Sequence, residues 1–351
     1  MILFSILAMR KTIVVNPPKN LSDGDNHIFQ PFLSYTIEDL IVKEVRNALI
    51  TFSGFTVDST GLVKESHHDY DFQYKSYLAE AIFYCEAARS DPEKVLKLEN
   101  SDVYLQIFHP WFNYGHWLFE AILRLWTVRD RTREMVLLLP DFYSQTQFIQ
   151  ETLEPFKFKD IVYIPRPKSV LVDNLCLPQI KPVVDSYLKK ELIEIREFYL
   201  DYVKKKNLKS IPSLEKIYLS RKKSRRRFVL NEEEVEQTLK KYGFVTVCAD
   251  GLGFFEQVAI YSNARYLISI MGAGLSNTLF MQEGSSILEF HKVLYPGDVH
   301  CKTFWYLADA LNFNYYYQFC PCPDPKANIY IANLTVDTDL LEKNIALMLN
   351  N

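Results

Sequence analysis

Three reaction templates are missing from this chain. It has no Gly-x-Ser-x-Gly nucleophile elbow, no Walker A loop and no His-Glu-x-x-His pair, so the serine-hydrolase, P-loop and zincin readings fall away. Cysteine patterns for metal or redox work are missing too. Cys85, Cys176, Cys248, Cys301, Cys320 and Cys322 form no Cys-x-x-Cys pair, and Cys320-Pro-Cys322 is too close-set for a zinc pair and has no His or Cys cluster beside it. Reduced thiols in a reducing compartment are the expectation. Long apolar runs are also absent. The apolar start, Met1 to Met9, falls far short of the ~20 residues that a membrane-spanning helix needs. It also lacks the basic stretch that precedes a signal peptide's apolar core, and reads as a first strand or a frayed start. Without a secretion signal, Asn20-Leu-Ser22 and Asn333-Leu-Thr335 carry little weight as glycosylation sites. A net charge of -3 excludes a polyelectrolyte binder as a whole. There is no internal repeat or low-complexity segment.

What is present is an ordinary soluble composition, 48% hydrophobic and 24% charged over 351 residues, long enough for two domains. With 22 Tyr and 24 Phe, the chain is suited to a well-packed core and to clefts that stack on rings. Residues 12 to 64 alternate short apolar runs with turn signals such as Asn16-Pro-Pro18 and Ser53-Gly54, the pattern of a β-rich start. Strands are expected at 102–108, 135–139, 161–164 and 170–177, with helices at 77–88, 113–129, 144–153 and 185–206. Lys206 to Pro212 is polar, ends in proline and reads as a linker. Beyond it strand and helix alternate regularly, the signature of a doubly wound α/β domain. Asn231 is placed as an N-cap ahead of Glu232-Glu-Glu234. The expected division is residues 1–208 as an N-terminal domain, 209–335 as a C-terminal Rossmann-like domain, and 336–351 as a terminal helix that returns to the N-terminal domain.

The centre of the second domain is the stretch from Arg265 to Phe280. An apolar strand (Tyr266 to Ile270) runs into Gly272-Ala273-Gly274, then a helix from Leu275 to Met281, then a strand at 286–290. Glycines there let backbone amides approach a phosphate at a helix N-terminus. The other reading is a tight turn that needs glycine for its dihedrals alone.

Two further constellations carry chemistry. In Asn113-Tyr-Gly-His-Trp-Leu-Phe-Glu-Ala-Ile-Leu-Arg124, residues His116, Glu120 and Arg124 fall at i, i+4, i+8, one polar stripe on an apolar helix. Asn113 can cap this helix, which puts His116 in its first turn. A neutral imidazole beside a carboxylate can act as a base. The alternative is an exposed, self-satisfied His–Glu–Arg network. In Lys216 to Arg227, seven of twelve residues are basic and none is acidic. Arg221 and one or more of Arg225 to Arg227 suit a pyrophosphate. A solvated loop or a nucleic-acid or acidic-membrane patch are the alternatives. Asp-x-Asp pairs (Asp23/Asp25, Asp69/Asp71, Asp337/Asp339) follow no buried strand; His67-His-Asp-Tyr-Asp71 is the most metal-like segment, and no metal is expected.

Together these segments resemble the family 61 glycosyltransferases. Asn113-Tyr-Gly-His-Trp-Leu-Phe-Glu120 resembles the family's His-Trp helix. Tyr218-Leu-Ser-Arg221 with Arg226 and Asn231-Glu-Glu-Glu-Val235 resembles its Tyr-Ile-Ser-Arg … Arg … Asn-Glu block. Phe255-Glu-Gln257 through Met271-Gly-Ala-Gly-Leu-Ser-Asn277 to Glu289 resembles its C-terminal signature. The likeness covers roughly residues 100 to 295. One departure stands out: the family usually has His where this chain has Met271.

The resemblance implies a GT-B architecture of two Rossmann-like domains facing across a cleft. It implies inverting transfer from a nucleotide-diphosphate sugar to a glycan or lipid-linked acceptor hydroxyl, of the kind used in bacterial capsular polysaccharide synthesis. No metal or other cofactor is expected. His116 and Glu120 are the expected catalytic pair, one the base and the other orienting it. Arg221, Arg226, Gly272, Ala273, Gly274, Leu275, Asn277 and Glu289 are the expected donor-binding residues, with Glu289 at the carboxyl end of its strand facing ribose hydroxyls. Nucleic acid is not an expected partner. A cytoplasmic location with peripheral contact at the inner face of the membrane is expected. A non-catalytic nucleotide- or carbohydrate-binding protein of the same fold is the competing reading.

Overall fold

The computed structural model describes residues 10–98, 100–182, 186–208 and 211–350; the strand or frayed start expected at Met1 to Met9 and part of the linker lie outside them. Two compact units make up the chain: Glu38–Val183, and Lys11–Ile37 together with Val184–Asn351. Both are α/β. Strands β1 (Lys11–Val14) and β2 (Ser34–Ile37) pair antiparallel within the second unit.

The first unit is built on an eight-stranded sheet. Its strands are β3 (Val42–Ile50), β4 (Thr56–Asp58), β5 (Gly61–Leu62), β6 (Val95–Leu98), β7 (Val103–Gln106), β8 (Met135–Pro140), β9 (Asp160–Ile164) and β10 (Ser169–Pro178). The order is β5-β4-β3-β10-β7-β8-β9, with β6 also on β10. From β10 to β9 the strands run parallel, in registers such as Leu105↔Leu137 and Leu138↔Val162. On the other side β10, β3, β4 and β5 pair antiparallel. The sheet is therefore mixed, and only its β10–β9 part follows the doubly wound pattern. All six residues of β8 are buried, which is why Met-Val-Leu-Leu-Leu-Pro reads as an unbroken apolar run rather than an alternation. Helix α1 (Asp71–Ser90) precedes β6, and α2 (Gln147–Leu153) joins β8 to β9.

In the second unit α3 (Lys189–Lys206) leads to a five-stranded parallel sheet. Its strands are β11 (Lys216–Ser220), β12 (Val245–Cys248), β13 (Tyr266–Ile270), β14 (Ser286–Lys292) and β15 (Asn314–Cys320). Helices α4 (Glu232–Lys241), α5 (Phe254–Tyr261) and α6 (Thr303–Ala310) and the 3-10 helix Ala273–Phe280 make the crossovers, and α7 (Thr338–Asn350) closes the chain. The strand order β12-β11-β13-β14-β15 reverses direction at β11. The crevice between the carboxyl ends of β11 and β13 is thus the topological switch point, where open parallel sheets bind ligands.

The compact units divide the chain differently from the expected 1–208, 209–335 and 336–351. Residues 11–37 dock on the second unit: Lys19 N–H donates to Tyr315 O (2.8 Å), and Asn20 exchanges hydrogen bonds with the Tyr317 backbone, 2.7 and 3.1 Å. Those bonds follow a sheet edge, which a local pattern does not reveal. The terminal helix packs in the second unit as well, where Leu341, Ile345 and Met348 share a core with Tyr218, Val235, Leu288 and Tyr316. Asn231 stands at the head of α4 but does not cap it. Its amide oxygen accepts from Val336 N–H (2.9 Å) and its Nδ2 donates to Val336 O (2.8 Å). A second chain segment competed for the side chain and won.

Candidate functional site

In the first unit the chemistry gathers at the helix that follows β7. Asn113 sits extended, and its side chain accepts from His116 N–H at 3.2 Å, the expected N-cap. The helix is α over Tyr114–His116, π over Trp117–Ala121 and α over Ile122–Thr127. Trp117, Leu118, Ala121, Ile122, Leu125 and Trp126 are buried, as their spacing requires. The π turn, a feature common at functional sites, breaks the i, i+4, i+8 stripe. Arg124 accordingly hydrogen-bonds carbonyls instead of Glu120: Pro178 O at 2.6 Å, Ile107 O at 2.8 Å and Phe108 O at 3.1 Å. Neither residue is exposed, so the exposed-network reading is wrong.

Glu120 is instead the hub of three imidazoles. Its Oε2 lies 2.9 Å from His116 Nδ1, 3.2 Å from His68 Nε2 and 3.1 Å from His109 Nε2. The His68 and His116 contacts are hydrogen bonds, whereas His109 Nε2 has the distance but not the alignment of one. Trp111 N–H points at His109 Nδ1 (3.2 Å), which leaves the His109 proton on Nε2, facing the carboxylate. Trp111 also stacks on His68, ring centroids 3.8 Å apart. Burial by itself would raise the Glu120 pKa, but hydrogen bonds from His109, His116 and His68 outweigh it and hold the carboxyl well below its ordinary value. Burial pushes His109 down to about 4, so it is a neutral donor at pH 7. Only the His116 side chain keeps appreciable exposure, 18% against 0–1% for the other three.

His68 Nε2, His116 Nδ1 and Glu120 also lie within 4.8 Å of one another, a donor set that could hold a metal ion. His109 does not fit such a set, because its Nε2 carries the proton. Beside His109 lies an open cavity of about 540 Å³, lined by Phe52, Phe112 and Phe142 with Glu80 and Arg166.

The second constellation stands at the switch point of the second unit. Arg221 follows β11 directly and Met271-Gly272 follows β13. Gly272 is extended (φ 170°, ψ 163°), so no left-handed dihedral demands glycine there. What demands it is proximity: a Cβ at Gly272 would stand 2.4 Å from Arg221 Nη1, and one at Gly274 would stand 2.7 Å from Leu219 Cδ2. Neither of the two earlier readings of the turn named this. Glycine is used so that a guanidinium and a leucine can press on the backbone. Burial lowers the Arg221 pKa, with Asp250 opposing and Arg226 adding to the shift.

The remaining expected residues are only partly brought together. Ala273 and Gly274 are half-buried at the start of the 3-10 helix. Leu275 and Asn277 point into the core, and Asn277 Nδ2 donates to Gln257 Oε1 at 2.8 Å, so their side chains do not face a ligand. Arg226 is exposed. Glu289 is buried in the middle of β14, not at its carboxyl end, because the strand runs on to Lys292. It accepts from Tyr315 Oη–H (2.8 Å) and lies 3.2 Å from His291 Nε2. The residues missed in the sequence are His109, and His68 as a partner of Glu120. The only local signals were the His67-His68 pair and His109 just ahead of Trp111, in two separate segments.

Residues 114–288 match the family model described as Glycosyltransferase 61. Over that segment, from the helix of His116 to β14, the chain belongs to the glycosyltransferase 61 family. The family implies glycosyltransferase activity, with a nucleotide sugar as donor and a glycan as acceptor. No curated protein matches the chain. Among the described residues no helix is long and apolar enough to cross a membrane.

Proposed function

We propose that this protein is an inverting, metal-independent glycosyltransferase of the GT-B class. In this reading it moves a sugar from a nucleotide-diphosphate sugar to a hydroxyl of a glycan or lipid-linked acceptor, in bacterial surface polysaccharide synthesis at the cytoplasmic face of the membrane. The observation that carries the reading is the half-buried Arg221 guanidinium lying against Gly272 at the switch point, a built counter-charge for a diphosphate. Backbone amides of Gly272 to Gly274 add to it.

His116 is the base and Glu120 orients it. Glu120 is fully buried beneath three imidazoles, whereas His116 is partly exposed. With Nδ1–H given to Glu120, His116 Nε2 holds a lone pair for the acceptor hydroxyl. As the acceptor oxygen bonds to the sugar's anomeric carbon, its proton passes to Nε2. The bond from that carbon to the phosphate oxygen breaks on the opposite face, and the nucleoside diphosphate leaves with the electron pair. Arg221 balances its charge.

The test is a panel of nucleotide sugars with release of nucleoside diphosphate as the readout, repeated after chelation. His116→Ala should abolish transfer while nucleoside diphosphate binding stays within about twofold. Full turnover by His116→Ala, or loss of turnover with the chelator, would refute the assignment. A non-catalytic nucleotide-binding protein is the second reading. It is favoured by the buried, apolar Met271 at the switch point, and sustained nucleotide binding without any turnover would establish it.

A further inference from the structure

Arg227 differs from its neighbours in the basic loop. Arg225 and Arg226 are exposed, but Arg227 adopts a left-handed backbone (φ 58°) and turns in to become half-buried. Its Nε is buried and has no hydrogen-bond partner among the described residues. Its carbonyl oxygen accepts from Arg221 Nε at 3.0 Å, which ties the two residues together. Neither guanidinium has a carboxylate within ion-pair distance among the described residues. Burial, then the charge of Arg221, pushes Arg227 down to about 10. Two partly desolvated charges of one sign, held side by side without a counter-ion, are costly unless an anion completes them.

Arg227 also lines a small cavity with Met271, His291, Lys292, His300 and Cys301. Three of these side chains are already engaged. His291 meets Tyr315 Oη at 2.8 Å, Lys292 Nζ pairs with Asp298 at 2.5 Å, and Cys301 Sγ lies 3.4 Å from Thr303 Oγ1. His300 is 96% buried by its 4% exposure, yet both ring nitrogens lack a partner. Burial, with His291 and Lys302 nearby, keeps it neutral, so it offers one N–H. The enclosed space is about 10 Å³, room for one oxygen-sized group rather than a whole phosphate.

We propose that Arg227 and His300 complete, with Arg221, a diphosphate site in the second unit. Arg227 donates from its guanidinium fork to phosphate oxygens, and His300 donates one N–H to the single oxygen that enters the cavity. Arg226, assigned this role from the sequence, contributes only long-range charge. The site rests on the donor reading above and names the side chains that make the grip.

Calorimetric titration of the full chain with UDP, GDP, ADP and inorganic pyrophosphate tests it, with thermal unfolding to check each variant's fold. The wild type should bind at least one of them. Arg227→Ala should weaken that ligand about 10- to 100-fold, the loss of one charge-assisted contact pair. Arg227→Lys should recover little, because the fork is lost. Arg226→Ala should cost about threefold or less, and that effect should vanish at high salt while the Arg227 effect persists. Lys223→Ala should change nothing. His300→Ala should weaken binding several-fold, and His300→Gln, which keeps a donor, should restore part of it. Arg227→Ala binding as tightly as the wild type, or a larger loss at Arg226, would overturn the site while leaving the donor reading in place. Failure of the wild type to bind any of the four would remove the donor reading and this site with it.

Discussion

Glu120→Gln is the sharpest probe of the first unit, because it keeps shape and removes charge. Three imidazole nitrogens stand 2.9 to 3.2 Å from one carboxylate oxygen in a fully buried setting. Hydrogen bonds to a charged acceptor contribute about 1.5–3 kcal/mol, against about 0.5–1.5 for a neutral one. Three weakened bonds therefore cost about 3–4 kcal/mol, partly offset because a neutral amide is easier to bury than a carboxylate. A net destabilisation of about 2 kcal/mol is expected by urea unfolding. The effect on turnover should be larger. Removing the carboxylate that fixes a catalytic histidine's tautomer lowers kcat by about 10⁴ in the serine-protease triad. The same order is expected here, with nucleoside diphosphate affinity within about twofold of wild type. His116→Ala and the double variant should be no worse than Glu120→Gln by more than about tenfold, since residues that act as a unit are not additive. A folded Glu120→Gln protein that retains turnover within tenfold of wild type would remove Glu120 from the reaction.

Two more outcomes follow from the geometry. Gly272→Ala places a methyl 2.4 Å from Arg221 Nη1, a flexible tip that can move, so nucleotide affinity should fall at least about tenfold with little loss of stability. Gly274→Ala instead meets Leu219 Cδ2 at 2.7 Å in the core, and overpacking of that kind costs about 1–3 kcal/mol. Calorimetry and urea unfolding on the pair should therefore give opposite orders, and equal effects on both readouts would refute the distinction. Acid should destabilise the protein. His109 has its pKa lowered to about 4 in the fold, so the unfolded chain binds its proton first. Its contribution is fully present above an unfolded pKa near 6.5 and is lost as pH falls towards 4, in all about 3 kcal/mol. His300 shifts in the same direction. Unfolding free energy should thus drop between pH 7 and pH 5, less so in His109→Gln; a flat profile over that range would contradict the buried neutral state.

How far the sequence reached depended on how local each feature is. The second unit was legible nearly strand by strand, because buried parallel strands announce themselves as short apolar runs: Tyr266–Ile270 matches its expected bounds at both ends. Asn113 was legible as a cap for the same reason, since cap and capped amide lie within one turn. The edges of the sheets were not. Nothing in residues 11–37 says that Asn20 will dock on the Tyr317 backbone, because that bond spans 297 positions. Strand alternation could not place Glu289 either, since β14 runs two residues past its expected end at Phe290 and leaves Glu289 buried in mid-strand.

The carboxylate hub shows the limit most clearly, and also why it matters. From spacing alone, Glu120 had two helical neighbours, His116 and Arg124, and the choice was between a catalytic pair and a surface network. The fold replaced the second neighbour. A π turn broke the stripe, Arg124 went to three carbonyls, and His68 and His109 arrived from other segments to take its place. Exchanging an arginine for two imidazoles changes the chemistry. An arginine would have neutralised Glu120 outright. Two hydrogen-bonding imidazoles, one of them neutral by burial, leave the carboxylate its charge while pinning its position. That charge is what a histidine base needs behind it, since it stabilises the imidazolium formed when the acceptor proton arrives. In the proposed reaction, the residues that the pattern could not reach are therefore the ones that would decide the division of labour: Glu120 held to orient, and His116 left to react.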